Sequence, residues 1–280
     1  MKKNILAIQM SSKIGDYPAN QHKLEIFFNR AFSKYNDIDI VFLPEVWTLG
    51  WFPECFQENA DKNATAADFL STLAKRYNVN IIGGSYIRCI KNENNTEYRN
   101  TCPVINRNGE IVANYDKIHL YSPDGEAKAV KCGVLPLIVD IEGLRMGLSI
   151  CYDIRFPELF RSYISHNMAP HMLVNMSAWP KTRRAQYEAM AKSRAVENQC
   201  YFLALSQTGL IKDDVYNSGY SMLIEPLGDT QCSLNEDEGF IFEKIDTDVV
   251  DKVRETYPNI KNRKINDFGF CPKYIKTAEA

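Results

Sequence analysis

The sequence lacks a strong charge bias and any sign of modular construction. Its 280 residues include 33 Lys and Arg and 35 Asp and Glu, which give a formal net charge of -2. This balance gives no reason to expect nucleic acid or an anionic membrane as a partner. No linker rich in Gly, Ser or Pro, no low-complexity tract and no internal repeat divides the chain, so we expect a single domain.

The first residues contain no apolar run long enough for a signal peptide or a membrane span. We therefore expect a cytoplasmic protein. The cysteines form no Cys-x-x-Cys pair, and in a reducing compartment we expect free thiols rather than a disulfide framework. They are Cys55, Cys89, Cys102, Cys132, Cys151, Cys200, Cys232 and Cys271.

Motifs of several common functions are also missing. None of the four histidines has a close partner at metal-ligand spacing, and no Gly-rich phosphate loop with Gly-Lys-Ser/Thr occurs. Ser85 lacks the second flanking glycine of a serine nucleophile elbow. Glu188 and Glu197 interleave with the basic residues at 183–194, which indicates a solvated or salt-bridged helix face. The sequence predicts no metal, no cofactor and no nucleic acid, and leaves a small neutral or anionic ligand open.

What is present is an ordered series of strand and helix patterns. Asn108-Gly109 and Glu142-Gly143 predict hairpin turns. Helices and strands alternate early, hairpins fill the middle and strands dominate late, which indicates layered sheets flanked by helices. We predict strands at 5–9, 38–43, 81–90, 101–106, 110–118, 137–141, 144–150, 172–176, 199–206, 218–225 and 240–245, and helices at 20–35, 65–77, 157–166 and 183–198.

Cys151 is the first candidate functional residue. It ends a predicted buried strand and begins a helix-like segment. The strand end would fix the sulfur in space, and the backbone N–H groups that follow could stabilise negative charge on sulfur or on a reacting oxygen. A free Cys more often packs as a small hydrophobic side chain, so this interpretation depends on other segments.

Three further segments place ionisable groups beside apolar sequence. Glu45 follows an apolar strand and lies between Pro44 and Trp47, where desolvation would raise its carboxyl pKa and suit it to take a proton from a thiol. Lys117 ends an apolar-rich strand, and Glu126 follows in a predicted loop. Taken alone, each is more simply a solvated residue at a strand end or on the surface.

Together, these segments resemble the nitrilase, or carbon-nitrogen hydrolase, superfamily. Its pattern has Glu after Leu-Pro, Lys in Tyr-Asp-Lys-x-His-Leu, and Cys in Cys-Tyr-Asp-x-Arg-Phe-Pro-Glu; here these are Glu45, Lys117 and Cys151. Matching segments at 193–201, 220–228 and 262–268 extend the resemblance over nearly the whole chain. It implies an α/β fold, a single-domain four-layer α-β-β-α sandwich that usually dimerises, so we expect a homodimer or a higher homo-oligomer. We expect this domain at residues 1–270, with a C-terminal tail at 271–280.

The resemblance implies a hydrolase that cleaves an amide through a thioester. Cys151 would attack the amide carbon, and Glu45 would shuttle the proton to departing ammonia and then activate water. Lys117 and the backbone N–H of Tyr152 would stabilise the oxyanion. Glu126 falls where many members carry a second glutamate, which implies a supporting role in orienting the lysine and the substrate.

Within the superfamily, residues 151–158, 178–180 and 194–199 look most like the group of omega-amidases and deaminated glutathione amidases. That likeness implies a small terminal amide on a carboxylate-bearing molecule such as 2-oxoglutaramate or 2-oxosuccinamate. Arg155 is the nearest candidate for the substrate carboxylate, although it could instead brace its own loop through Glu158. Trp179 could form a wall of the pocket or pack beneath it.

One departure and two alternatives remain open. Many relatives have His-Trp where this chain has Gln186-Tyr187, which puts the substrate in doubt. The same Glu-Lys-Cys residues could hydrolyse a nitrile or an N-carbamoyl compound. The fold could also serve as a non-catalytic scaffold.

Overall fold

The computed structural model of the chain describes residues 1–92, 95–164, 169–264 and 273–276. Its strands are β1 (Lys2–Gln9), β2 (Ile40–Phe42), β3 (Asn80–Ile82), β4 (Tyr86–Asn92), β5 (Asn95–Ile105), β6 (Ile111–Asp116), β7 (Leu137–Ile141), β8 (Leu144–Ile150), β9 (Met172–Ser177), β10 (Tyr201–Ser206), β11 (Leu210–Lys212), β12 (Val215–Tyr216), β13 (Met222–Ile224), β14 (Thr230–Ser233), β15 (Gly239–Asp246) and β16 (Lys273–Lys276). Its helices are α1 (Tyr17–Lys34), α2 (Thr65–Tyr77), α3 (Glu126–Ala129), α4 (Pro157–Ile164), α5 (Arg184–Asn198) and α6 (Thr247–Thr256).

Two large sheets form the centre of the described structure. The first has the order β15-β1-β2-β3-β5-β4, with β6 also paired to β5, and the second has the order β14-β13-β10-β9-β8-β7-β16. The strands β1, β2 and β3 are parallel, as are β8, β9 and β10. Polar residues that follow these parallel strands therefore collect at one edge of each sheet.

Alternating side chains of the first sheet place it between two apolar layers. Ile5 and Ala7 of β1 join the cluster that contains the second sheet, whereas Leu6 and Ile8 join a cluster with α1 and α2. This follows from the two-residue period of a strand. On the far side of the second sheet, Phe160 of α4 belongs to the same cluster as the strands, as does the α5 residue Ala191. The predicted α-β-β-α sandwich is confirmed.

The predicted strand at 81–90 is wrong, because it is broken at residues 83–85 into β3 and β4. Gly84 has φ +61 and lies so close to the end of β2 that an added Cβ would be 2.1 Å from the Pro44 carbonyl oxygen. Ser85 donates its N–H to that same oxygen at 3.1 Å and accepts the Val46 N–H on its hydroxyl at 2.9 Å. Ser85, in this break, is therefore hydrogen-bonded to the residues on both sides of Glu45.

Other boundaries also differ. The strands predicted at 199–206 and 218–225 are shorter, as β10 and β13. The helix predicted at 157–166 is described as far as Ile164, and its last two residues lie outside the described residues. Helix α6 was not predicted, because its sequence is mostly polar. Its N-terminus is capped by Asp246, whose side chain accepts the Asp248 N–H.

The β11–β12 ribbon was missed because its turn uses Asp213 and Asp214, both with positive φ, instead of the usual Gly.

The end of the chain is described in part. Residues 273–276 form β16, which pairs in parallel with β7 at the edge of the second sheet. The predicted domain boundary between 270 and 271 lies outside the described residues. Among the helices described, none has the length and apolar character needed to cross a membrane.

Replacing Gly84 with Ala tests the close approach of Gly84 to the backbone of the Glu45 segment. The new methyl group would clash with the Pro44 backbone, so we expect a loss of about 2–4 kcal/mol in the free energy of unfolding, measured by urea denaturation. Gly15→Ala is the matched control, because Gly15 has a similar φ of +67 but only an ordinary contact at 4.0 Å. It should lose only the cost of left-handed backbone, about 1–2 kcal/mol. Equal losses in the two variants would contradict this close approach.

Candidate active site

Glu45 lies just beyond β2, with its side chain fully buried. Its Oε1 accepts hydrogen bonds from Lys117 Nζ at 2.8 Å and from Asn100 Nδ2 at 3.0 Å, and its Oε2 accepts the Ala178 N–H at 2.9 Å. The next residue, Val46, has φ +44, which is unfavourable for a β-branched side chain. The carboxylate is thus held in one orientation by donors from both sheets.

Lys117 follows β6, and its side chain is as deeply buried as that of Glu45. Its Nζ donates to Glu45 at 2.8 Å and to both oxygens of Glu126 at 3.0 and 2.9 Å. It also lies 4.8 Å from the centre of the Trp51 ring. The ammonium therefore has two carboxylates and an aromatic face to offset its removal from water.

Glu126 corrects a prediction, since the sequence alone indicated a loop and a surface position. It is the first residue of α3 and is fully buried. The preceding Gly125, at φ +86, turns the chain inward. Its Oε2 accepts the Tyr121 N–H at 2.6 Å, and its Oε1 accepts from Asn100 at 3.0 Å. The structure therefore brings Glu126 into contact with Lys117.

Cys151 directly follows β8 and begins a short 3-10 turn over Cys151–Arg155. Its φ is +43, a strained value for a residue with a side chain. Its exposed fraction is 7%, and it lines a cavity of about 950 Å³. A strained thiol at the end of a buried strand, facing a cavity, has the placement that a nucleophile requires.

The electrostatics of the cluster favour a neutral resting thiol. Burial raises the pKa of Cys151 well above its usual value, and the Glu45 carboxylate raises it further, while the Lys117 ammonium opposes the shift. Burial also raises the pKa of Glu45 and outweighs the opposing effect of Lys117. For Lys117, burial lowers the pKa, but Glu126 and Glu45 more than compensate, so the pKa is raised overall. Attack by sulfur therefore needs a base, and the cation stays charged.

The three residues predicted to bind substrate all line the cavity: Tyr152, Arg155 and Trp179. Arg155 donates to Gln186 Oε1 at 2.8 Å and lies over the Trp179 ring at 5.0 Å. Among the described residues, Arg155 forms no ion pair with Glu158, and its side-chain hydrogen bond goes to Gln186 instead. Trp179 forms part of the cavity wall and also packs inside the protein. Its ring stacks on that of Tyr187, with the ring centroids 4.9 Å apart.

The sequence interpretation missed three residues of the cluster. Asn100 on β5 connects Glu45 to Glu126, and Trp51 covers Lys117. Ala178 contributes only its backbone N–H, which no sequence pattern reveals. Asn100 lies between Arg99 and Thr101 on β5, so the local sequence gave no sign that this amide is buried.

The described residues also bear on the predictions about cysteines and metal ligands. The seven cysteines described are all free thiols, and Cys271 lies outside those residues. In the described ranges, no group of His, Cys, Asp and Glu side chains is arranged to hold a metal ion.

A family model described as carbon-nitrogen hydrolase matches residues 5–255, a range that includes the whole cluster. The chain belongs to the carbon-nitrogen hydrolase family. It is therefore a hydrolase of carbon–nitrogen bonds other than peptide bonds, and the predicted family and enzyme class are confirmed.

Several relatives of this carbon-nitrogen hydrolase are similar over most of their length. It is 30% identical to the 2-oxoglutaramate amidase of Bacillus subtilis, over 92% of this chain and 96% of the relative. It is 34% identical to the deaminated glutathione amidase of Synechocystis, over 74% of this chain and 79% of the relative. The crystal structure of Saccharomyces cerevisiae Nit3, a member of branch 10 of the nitrilase superfamily, is similar with a TM-score of 0.85 and 26% identity, over 94% of this chain and 97% of that one.

The variant Glu126→Gln tests the coupling between the two carboxylates. The Glu126 charge raises the pKa of Glu45, so its removal should lower that pKa and move the acid limb of kcat/KM to lower pH. We also expect kcat to fall by about 100-fold, because Lys117 loses a charged partner. The measurement is a pH profile of kcat/KM and kcat. Glu58→Gln removes an exposed carboxylate and should leave the profile unchanged; an acid limb that stays in place in Glu126→Gln would contradict the coupling.

Proposed function

We propose that this carbon-nitrogen hydrolase cleaves a small linear terminal amide that bears a carboxylate, releasing ammonia through a Cys151 thioester. The observation that carries the proposal is the Lys117 ammonium, held between Glu45 and Glu126 beside a thiol that opens into the cavity. This arrangement supplies a base, a nucleophile and a fixed positive charge for an oxyanion.

The first half-reaction forms the thioester. Glu45 takes the proton of the Cys151 thiol while sulfur attacks the amide carbon, and the new S–C bond makes a tetrahedral oxyanion. The Lys117 ammonium and the backbone N–H of Tyr152 stabilise that oxyanion. Glu45 then gives the proton to the amide nitrogen, the C–N bond breaks and ammonia leaves.

The second half-reaction releases the acid. Glu45 takes a proton from water, whose oxygen attacks the thioester carbon. The C–S bond breaks, the carboxylic acid leaves, and Cys151 regains a proton from Glu45. The raised pKa of Glu45 suits this exchange because its two protonation states are then closer in energy near neutral pH.

Recognition of the acyl group is assigned to Arg155 with Tyr152 and Trp179. Arg155 is fixed by Gln186 and by the Trp179 ring, so its guanidinium is preorganised for a planar carboxylate. The names of the relatives support this class, since a 2-oxoglutaramate amidase is among them. We therefore propose omega-amides of 2-oxo acids, such as 2-oxoglutaramate or 2-oxosuccinamate, as substrates.

Removing the nucleophile tests the proposed chemistry. Ammonia release should be lost in Cys151→Ala, at least about 1000-fold, and retained in Cys132→Ala, which alters an exposed thiol. The assay covers omega-amides of 2-oxo acids, aliphatic amides, nitriles and carbamoyl amines. Release from nitriles or carbamoyl amines alone would reassign the substrate and keep the Cys151 mechanism. Ammonia release by Cys151→Ala at the wild-type rate would contradict the mechanism. No ammonia release by the wild type from any compound would favour a non-catalytic scaffold.

A second variant tests the carboxylate contact. In Arg155→Leu, we expect kcat/KM for 2-oxoglutaramate to fall about 10- to 100-fold, because an ionic hydrogen bond is lost, while a neutral aliphatic amide changes little. Arg184→Leu is the matched control, since Arg184 lies over the Tyr220 ring instead of lining the cavity. Equal losses of kcat/KM for charged and neutral amides would show that Arg155 does not bind the substrate carboxylate.

Three broader features are also proposed. A homodimer or a higher homo-oligomer follows from the family resemblance, and sedimentation velocity tests it. The cytoplasmic location and the division into a domain at 1–270 and a tail at 271–280 follow from the sequence.

A further inference from the structure

Asp153 is a fully buried carboxylate that lies outside the proposed reaction steps. It accepts four hydrogen bonds. Its Oδ1 accepts from the backbone N–H and from the ring Nδ1 of His119, both at 2.8 Å. Its Oδ2 accepts from the Tyr115 hydroxyl at 2.7 Å and from the Ile150 N–H at 2.9 Å. The two oxygens therefore hold two different parts of the site.

Among the residues described, no Lys or Arg pairs with Asp153, and its contact with a basic side chain is with the His119 ring at 2.8 Å. A carboxylate removed from water without a strong cationic partner must be stabilised by hydrogen-bond donors. Each of the four donors is therefore important for keeping this charge buried. Conversely, the charge restrains the segments that carry the donors.

The position of the link along the chain connects it to the reacting groups. His119 lies two residues after Lys117, and Asp153 lies two residues after Cys151. Ile150, held by Oδ2, directly precedes Cys151, whose φ of +43 needs external support. One carboxylate thus ties the lysine segment to the strained nucleophile turn.

The His119 ring is itself fixed in place. It stacks on Phe156 with ring centroids 3.7 Å apart and an angle of 9° between the planes. Since Asp153 Oδ1 is an acceptor, the ring contributes its Nδ1–H to this contact. The residues that line the described cavity do not include His119, so it acts through other residues and not on the substrate.

We propose that His119 and Asp153 form a positioning link that sets the separation between the Lys117 ammonium and the Cys151 sulfur. The inference rests on the proposed function of those two groups. If the link breaks, the lysine segment and the nucleophile turn move independently. The Lys117 ammonium is then displaced from the position in which it stabilises the oxyanion. A displacement of about 1 Å is enough to slow a reaction about 100-fold.

Two substitutions of His119 separate this role from general packing. His119→Asn keeps an N–H donor at the position of Nδ1, whereas His119→Leu keeps apolar bulk and removes the donor. We expect kcat for 2-oxoglutaramate to fall about 10- to 100-fold in His119→Leu with KM within about twofold, and to stay within about threefold of wild type in His119→Asn. His22→Leu, at an exposed histidine, is the control for the substitution itself.

The rate of Cys151 alkylation by iodoacetamide gives a readout that needs no substrate. It should fall in His119→Leu and recover in His119→Asn, with Cys151→Ala as the blank. Near-ultraviolet circular dichroism shows that each variant is folded. Equal kcat and alkylation rates in His119→Leu and wild type would overturn the link, as would equal losses in the two His119 variants. If wild type releases no ammonia, the proposed function fails, and the alkylation rates still decide the link.

Discussion

The buried ammonium of Lys117 is the constraint on which the rest of the site depends. Two carboxylates share this one cation, at 2.8 Å from Glu45 and 2.9 Å from Glu126. Removing one partner from such a buried set typically costs about 3–5 kcal/mol, because it leaves an uncompensated charge in a low dielectric. The surrounding structure therefore has to hold all three groups together, and it does so with the Asn100 amide and with backbone N–H groups of the neighbouring segments.

The sandwich provides that support by placing the ends of strands from two sheets next to each other. Glu45 follows β2 of the first sheet, while Cys151 and Ala178 follow β8 and β9 of the second. The Ala178 N–H to Glu45 contact joins the sheets across 133 residues of sequence. The positive φ values of Val46 and Cys151 occur at these strand ends, where a rigid, fully paired sheet can hold backbone that would relax elsewhere.

Sequence periodicity predicted most of the strands and helices because buried strands and amphipathic helices carry their own signal. It failed where backbone proximity decided the outcome. The strand at 81–90 is broken because Gly84 must approach the Pro44 carbonyl, a contact with a residue 40 positions earlier that no local pattern contains. It also failed for Glu126, because the preceding Pro123-Asp124-Gly125 is typical of a surface loop, whereas the Glu126 side chain is buried and bonded to Lys117 and to the Tyr121 N–H.

The sequence by itself determined the family, the fold class and the identities of Glu45, Lys117 and Cys151 as candidates, because their local motifs and their order along the chain carry that information. Only the tertiary structure decided how these groups act on one another. The burial that keeps the Cys151 thiol neutral and raises the pKa of Glu45 is a property of the packed sandwich. So is the link through Asp153 and His119, because hydrogen bonds between segments far apart in sequence depend on distances that only the folded chain sets.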